Sequence, residues 1–158
     1  MLDAMAKPVL SDAIQDYLKE TYKLGVTGDR VTVTALARAV GVSAPSASTM
    51  LKKLAALGLL EHQPYRGVRL TPAGEKVALE VIRHHRLLEL YLAKTLGVHV
   101  DHVHDEADRL EHHLSEELEA RIDEALGFPT HDPHGDPIPD KNLEWPGSQK
   151  ARRTRTKA

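Results

Sequence analysis

The tightest constraint on this chain lies between residues 34 and 58. Helix starts and stops are crowded there too closely for anything but two short helices and a turn. Thr34 offers a cap for a helix over residues 35–40, and Gly41 ends it. Ser43 caps a second helix over 44–57, stopped at Gly58. Two helices joined at Gly41-Val42 form the helix-turn-helix pattern. Upstream, Ser11 caps a helix whose Ile14, Tyr17, Leu18, Thr21 and Tyr22 follow the 3.6-residue period; residues 25–29 end it. Downstream, residues 59–62 and 68–70 read as short strands flanking Pro64-Tyr65-Arg66-Gly67, a hairpin that serves as a wing.

Thr71-Pro72 supplies a cap and a first-turn proline for a long helix to about residue 96, with Val77, Val81, Leu88 and Leu92 among its apolar positions. Gly97 closes it. A fifth helix is expected over 100–113, and Ser115-Glu-Glu opens a sixth that stops at Gly127. Beyond Phe128 the chain is rich in Pro, Asp, Gly and His, then basic, which reads as loop and tail.

The net charge of −2 conceals an asymmetry. Residues 1–72 carry nine Lys/Arg against six Asp/Glu, whereas 73–149 carry seven against seventeen, and nine of the ten histidines lie at or beyond position 84. A basic front fits phosphate contact, and an acidic, histidine-rich rear fits cation binding. There is no cysteine, which excludes thiolate metal sites, disulfides and cysteine catalysis. No apolar run approaches the ~20 residues of a membrane span, and the N-terminus lacks a signal-peptide core. A cytoplasmic protein with no membrane partner is expected.

The second helix of a helix-turn-helix enters the major groove and presents its N-terminal residues to base edges. Here these are Ser43, Pro45, Ser46 and Thr49, followed by Lys52 and Lys53. Their hydroxyls can bond bases or phosphates, and Ala44 and Pro45 can pack on thymine methyl groups. Lys52, Lys53, Arg66 and Arg69 are natural phosphate contacts, and Thr34 lies at the entry of the preceding helix.

On the long helix His85 and Glu89 are i,i+4 neighbours; on the next, His104, Asp108 and His112 repeat that spacing, with Glu111 beside them. Nitrogen and carboxylate donors without sulfur suit manganese, iron(II), cobalt or zinc, and oxygen-rich sets lean to manganese. Asp108-Arg-Leu-Glu111-His112 departs from the inverted zinc-protease motif, with Asp where its first His should stand. Without HExxH, a Gly-rich phosphate loop or a nucleophile elbow, the reading is of a protein that is not an enzyme. A metal-independent winged-helix regulator answering to a small organic ligand is the rival.

The segments His84-His-Arg-Leu-Leu-Glu89 and Val103-His-Asp-Glu-Ala-Asp108-Arg-Leu-Glu-His-His-Leu-Ser115 closely resemble the diphtheria toxin repressor family of metal-activated bacterial regulators. The likeness runs from about Ser11 to Ile138 and includes Asp16-Tyr17-Leu18 and Gly135-Asp-Pro-Ile-Pro139. It implies a mainly α fold, a winged helix-turn-helix over 1–71, a helical dimerisation and metal-binding domain over 72–140, and a flexible basic tail over 141–158. The chain would act as a homodimer on a double-stranded operator, repressing metal-uptake genes with metal as corepressor. The resemblance places the primary site at Asp16, Asp108, Glu111 and His112. Both sulfur ligands of iron-type members are thereby replaced by carboxylates, as in the manganese-type branch. His85, Glu89 and His104 match an ancillary site. Mn2+ is then the first expectation and Fe2+ the second, with Zn2+, Co2+ or Cd2+ able to substitute. Lys19 stands where the binuclear manganese cluster takes a glutamate, and the third domain that completes the ancillary site in longer relatives is not represented.

Overall fold

A computed structural model describes residues 10–147 except Thr27. They divide into two compact units, the first ending at Glu75 and the second beginning at Lys76. That boundary falls four residues beyond the expected one, inside a helix rather than before it.

In the first unit α1 spans Asp12–Leu24, and the Ser11 hydroxyl accepts the Ile14 N–H at 3.2 Å. Helix α2 covers Val33–Val40, and its cap is Thr32, which accepts the Ala35 N–H at 3.1 Å. Thr34, expected as the cap, sits exposed within the first turn. The choice is made outside the helix: Val31 pairs with Val68 in a β-bridge, so the chain leaves extended geometry at Thr32. Gly41 ends α2 at φ 83, which lets its own N–H and that of Val42 both reach the Ala37 carbonyl, at 2.9 and 3.0 Å.

Helix α3 runs over Ala44–Ala56 behind its Ser43 cap. It buries Ala47, Leu51 and Leu54 completely, each leucine contributing about 1.5–3 kcal/mol of transfer free energy. Strands β1 (Leu60–Gln63) and β2 (Gly67–Leu70) pair antiparallel, with Leu60 opposite Leu70 and Gln63 opposite Gly67. The first strand starts one residue later than expected because the Leu59 N–H is committed to the Leu54 carbonyl at 3.0 Å. A Cβ on Gly67 would stand 2.3 Å from the Val31 carbonyl oxygen, so the third extended segment packs here only against glycine.

Helix α4 covers Pro72–Lys94 and stops two residues before its expected end. Its first turn is capped by the Thr71 hydroxyl, which accepts the Gly74 N–H at 3.2 Å. In the second unit α5 is Val103–Leu110, a single 3-10 turn covers Glu111–His113, and α6 is Glu116–Ala125, capped by Ser115. The expected helix over 100–113 is therefore divided. Leu114 must leave helical geometry (φ −76, ψ 119) to pack on the core and deliver Ser115 as the next cap, which tightens the preceding turn. That core is built from Leu87, Leu88, Ala107, Ile122 and Ile138. After α6 the chain is irregular, with one bridge between His131 and Pro137. Residues 141–147, expected to begin the tail, turn back on Asp140, whose Oδ1 accepts the N–H groups of Asn142 and Glu144 at 2.8 and 3.0 Å. The basic stretch 148–158 lies outside the described residues. Among the described residues no helix is long and apolar enough to cross a membrane.

Candidate functional site

In the first unit Ser43, Pro45, Ser46, Thr49, Lys52 and Lys53 all lie on the exposed face of α3, and Arg66 is exposed in the hairpin loop. All three hydroxyls are already engaged along the helix. Thr49 donates to the Pro45 carbonyl at 3.1 Å, and Ser43 donates to Ser46 Oγ at 2.9 Å while capping the Ser46 N–H. Lys52 and Lys53 have solvent-facing ammonium groups suited to phosphates. Arg69 differs, being held by Glu61 at 2.9 Å across the hairpin.

Apart from Asp16, which belongs to α1 of the first unit, the expected metal ligands come from three pieces of backbone in the second unit. Helix α4 supplies His85 and Glu89, α5 supplies His104 and Asp108, and the 3-10 turn supplies Glu111 and His112. His85 Nδ1 donates to Glu111 Oε2 at 2.6 Å and lies 3.3 Å from Asp108 Oδ1. Its Nε2 lies 3.0 Å from Glu89 Oε1 and 3.1 Å from His104 Nδ1. His104 Nε2 is in turn 3.3 Å from Asp108 Oδ2. One donor atom from each of His85, His104 and Asp108 falls within a 4.8 Å cluster. His112 does not continue the spacing of His104 and Asp108, because the α-helix has ended; its Nε2 lies 3.6 Å from Glu111 Oε1.

Burial alone would lower the basicity of His85, but its bonds to Asp108, Glu111 and Glu89 push its pKa up to about 10. Metal-free, the imidazole is thus a cation clamped among carboxylates. Glu89 is buried, which raises its pKa, yet the His85 hydrogen bond and charge bring it below the ordinary value.

Glu89 also faces a second set of donors, from the irregular segment after α6. Its Oε2 lies 3.3 Å from His134 Nδ1, and Glu89, Asp132 and His134 offer three ligand atoms within 4.8 Å. Asp132 Oδ1 closes a turn by accepting the N–H groups of His134 and Asp136 at 2.8 and 2.9 Å. Asp132 Oδ2 and Glu89 Oε2 are buried and accept no hydrogen bond. Burial raises the Asp132 pKa, against the two backbone N–H groups that lower it. Two buried carboxylate oxygens without donors, next to an imidazole, fit a divalent cation. The signal available in the sequence was Asp132-Pro-His134-Gly: a turn-forming aspartate with an imidazole two residues on.

A further ionic network holds this unit together. Arg83 donates to Glu119 on α6, to Asp123 Oδ2 at 3.0 Å and to the Pro139 carbonyl at 2.9 Å. His84 spans Glu119 Oε2 at 2.7 Å and the Glu111 carbonyl at 3.2 Å, so the turn carrying Glu111 is tied to α6. Arg86 donates to the Pro137 carbonyl at 2.6 Å and lies 5.6 Å from the centre of the Trp145 ring.

Two family models match the chain. Residues 9–68 match the iron-dependent repressor N-terminal DNA-binding domain, and 71–140 match the iron-dependent repressor metal-binding and dimerisation domain. The chain belongs to the iron-dependent repressor family. Its mainly helical fold, a winged DNA-binding domain followed by a helical metal-binding and dimerisation domain, is the family's. This repressor-family chain is 36% identical over 130 residues to the diphtheria toxin repressor of Corynebacterium efficiens, covering 82% of the chain and 56% of that protein. It is 38% identical over 117 residues to the transcriptional regulator MntR of Salmonella typhimurium, covering 74% and 72%. A solved manganese-dependent transcriptional repressor in complex with manganese superposes with a TM-score of 0.75 at 48% identity, over 82% of this chain and 59% of that one. The chain thus spans little more than half the length of several of its relatives. The relatives are named as repressors and regulators, and none of these names is that of an enzyme.

Proposed function

We propose that the chain is a metal-dependent DNA-binding transcriptional repressor with Mn2+ as corepressor and Fe2+ as second choice, acting as a homodimer on a double-stranded operator of metal-uptake genes. The observation that carries this reading is the sulfur-free cluster of His85, His104, Asp108 and Glu111, in which one buried imidazole is held by carboxylates from α5 and the following turn. Hard oxygen donors with imidazole suit manganese and iron(II) better than soft ions. Zn2+, Co2+ and Cd2+ would substitute on the same donors.

Asp108, Glu111 and His112 would hold the primary ion, joined by Asp16 on α1, which is assigned on the family resemblance alone. His85, Glu89 and His104 would hold a second ion, with Asp132 and His134 offering further donors beside Glu89. A bound divalent cation supplies the positive charge that lets several carboxylates share one site. With Asp16 committed to such a site, α1 and the DNA-binding unit it belongs to lose orientational freedom. Two units in a dimer must present α3 to successive major grooves, about 34–36 Å apart or a multiple of that. Restricting the sampled orientations raises apparent operator affinity by the inverse of the competent fraction.

The test is fluorescence anisotropy of duplexes taken from upstream of the protein's own gene and of metal-transporter genes, titrated with Mn2+, Fe2+ and Zn2+. Saturable tightening by Mn2+ that chelator reverses is expected. Tight binding indifferent to metal and chelator would replace this reading with the organic-ligand regulator.

A further inference from the structure

Two neighbouring histidines on α4 grip one residue of the metal-binding turn, and they grip it differently. His85 Nδ1 donates to the Glu111 carboxylate at 2.6 Å. His84 Nδ1 reaches the Glu111 main-chain carbonyl at 3.2 Å. Successive residues of a helix point about 100° apart, so the pair comes to Glu111 from two sides. The other His84 nitrogen, Nε2, meets Glu119 Oε2 on α6 at 2.7 Å. Glu119 is held in turn by Arg83, which also bonds Asp123 and the Pro139 carbonyl. Burial would raise the Glu119 pKa, but the bonds from His84 and Arg83 bring it below the ordinary value.

Glu111 needs such anchoring because of where it stands. Helix α5 ends at Leu110, and Glu111 and His112, both expected ligands, ride on a single 3-10 turn. Turns of this kind have poorer hydrogen-bond geometry than an α-helix, so their neighbours count for more in holding them. The Glu111 side chain is buried, and a buried side chain has little room to compensate for a displaced backbone. His85 is itself an expected ligand, so its hold on Glu111 changes when an ion arrives. His84 differs, because both of its nitrogens already face protein oxygens and its hold on the turn does not compete with metal.

We infer that His84 is a positioning residue of the metal centre, whose bond to the Glu111 carbonyl fixes the Glu111–His112 turn against α4. The inference rests on the metal-site reading above. Its two bonds can be removed one at a time in the full chain. Asparagine carries its amide nitrogen as far from Cβ as Nδ1, and glutamine carries its own as far as Nε2. His84→Asn therefore keeps the Glu111 bond and loses Glu119, and His84→Gln does the reverse. Without metal, urea denaturation should rank His84→Asn as the less stable, since it breaks the stronger bond, the one to a carboxylate. Mn2+ competition against a chelating indicator should rank them the other way. His84→Gln should bind about tenfold more weakly, the lower end for loss of a group that supports a ligand, and His84→Asn close to wild type. The visible absorption of the Co2+-loaded protein, which reports ligand geometry, should change in His84→Gln and not in His84→Asn.

Wild-type Mn2+ affinity in His84→Gln, or an unchanged Co2+ spectrum, overturns the inference. So do equal losses of affinity in both variants that follow their losses of stability, because His84 would then be only a strut between α4 and α6. If His84→Asn fails to fold, His84→Gln alone decides by the same two measurements. A wild-type chain that retains neither Mn2+ nor Co2+ on equilibrium dialysis fails the metal-site reading itself, and the positioning role falls with it.

Discussion

His85 must lose a proton before it can ligate metal, and the structure sets the cost. Burial lowers its basicity, but Asp108, Glu111 and Glu89 outweigh that and push the pKa up to about 10. At pH 7 the imidazolium therefore lies about three units below its pKa, and removing the proton costs about 4 kcal/mol at 1.36 kcal/mol per unit. Metal affinity at this cluster should accordingly rise by about one decade per pH unit between pH 6.5 and 8.5, as one proton leaves for each ion bound. The metal-free protein should respond in the opposite direction. A folded-state pKa above the unfolded value of 6.5 means that the clamp stabilises fully below pH 6.5, and that this stability is lost as pH rises toward 10. The assay is Mn2+ competition against a chelating indicator under argon at three pH values, with wild type and His85→Gln side by side. The wild type should show the steeper dependence by close to one proton. Equal slopes would refute the reasoning, because they would mean that no clamped imidazolium is displaced.

Asp132→Asn keeps the oxygen that accepts the His134 and Asp136 N–H groups but removes the buried charge. It should hold or raise metal-free stability while weakening the Glu89–Asp132–His134 site by roughly 10-fold or more, read by titration of metal stoichiometry. Unchanged affinity and stoichiometry would exclude Asp132 as a ligand. Thr32→Ala should cost about 1 kcal/mol in urea denaturation, the usual loss of an N-cap, and Thr34→Ala much less; the reverse order would restore Thr34 as the cap. Arg83 is nearly buried and serves Glu119, Asp123 and the Pro139 carbonyl, so Arg83→Met leaves charged partners unsatisfied. A loss of about 3–5 kcal/mol is expected from denaturant midpoints, and one below 1 kcal/mol would show that solvent screens the network.

Most helix boundaries were legible because caps and stops are local. Ser11, Ser43 and Ser115 each accept an N–H three residues ahead, and Gly41 takes the left-handed conformation that ends α2. Where the reading slipped, a distant contact decided. Local pattern points to Thr34 as the cap, and the Val31–Val68 bridge moves it to Thr32. Nothing near residue 110 announces the end of α5; it ends because Leu114 is needed against the core of the second unit.

The candidate site follows the same rule, and the rule bears on which ion it selects. His85 with Glu89, and His104 with Asp108, are i,i+4 pairs, so their spacing showed in the sequence and survives in the structure. Asp132 and His134 come from an irregular segment brought to Glu89 by their own turn and by the Arg86 bond to Pro137, neither of which is periodic. Zinc outcompetes manganese on intrinsic affinity for almost any nitrogen–oxygen set, so discrimination must come from geometry and ligand number. Helical pairs alone offer few donors at fixed spacing, an arrangement that a four-coordinate ion accepts readily. Adding Asp132 and His134 around a shared Glu89 increases the donor count and brings in buried carboxylate oxygens. If Asp132 and His134 ligate as proposed, both changes would favour an ion that takes more than four hard ligands, and the residues hardest to read from the sequence would be the ones that tilt the site toward manganese.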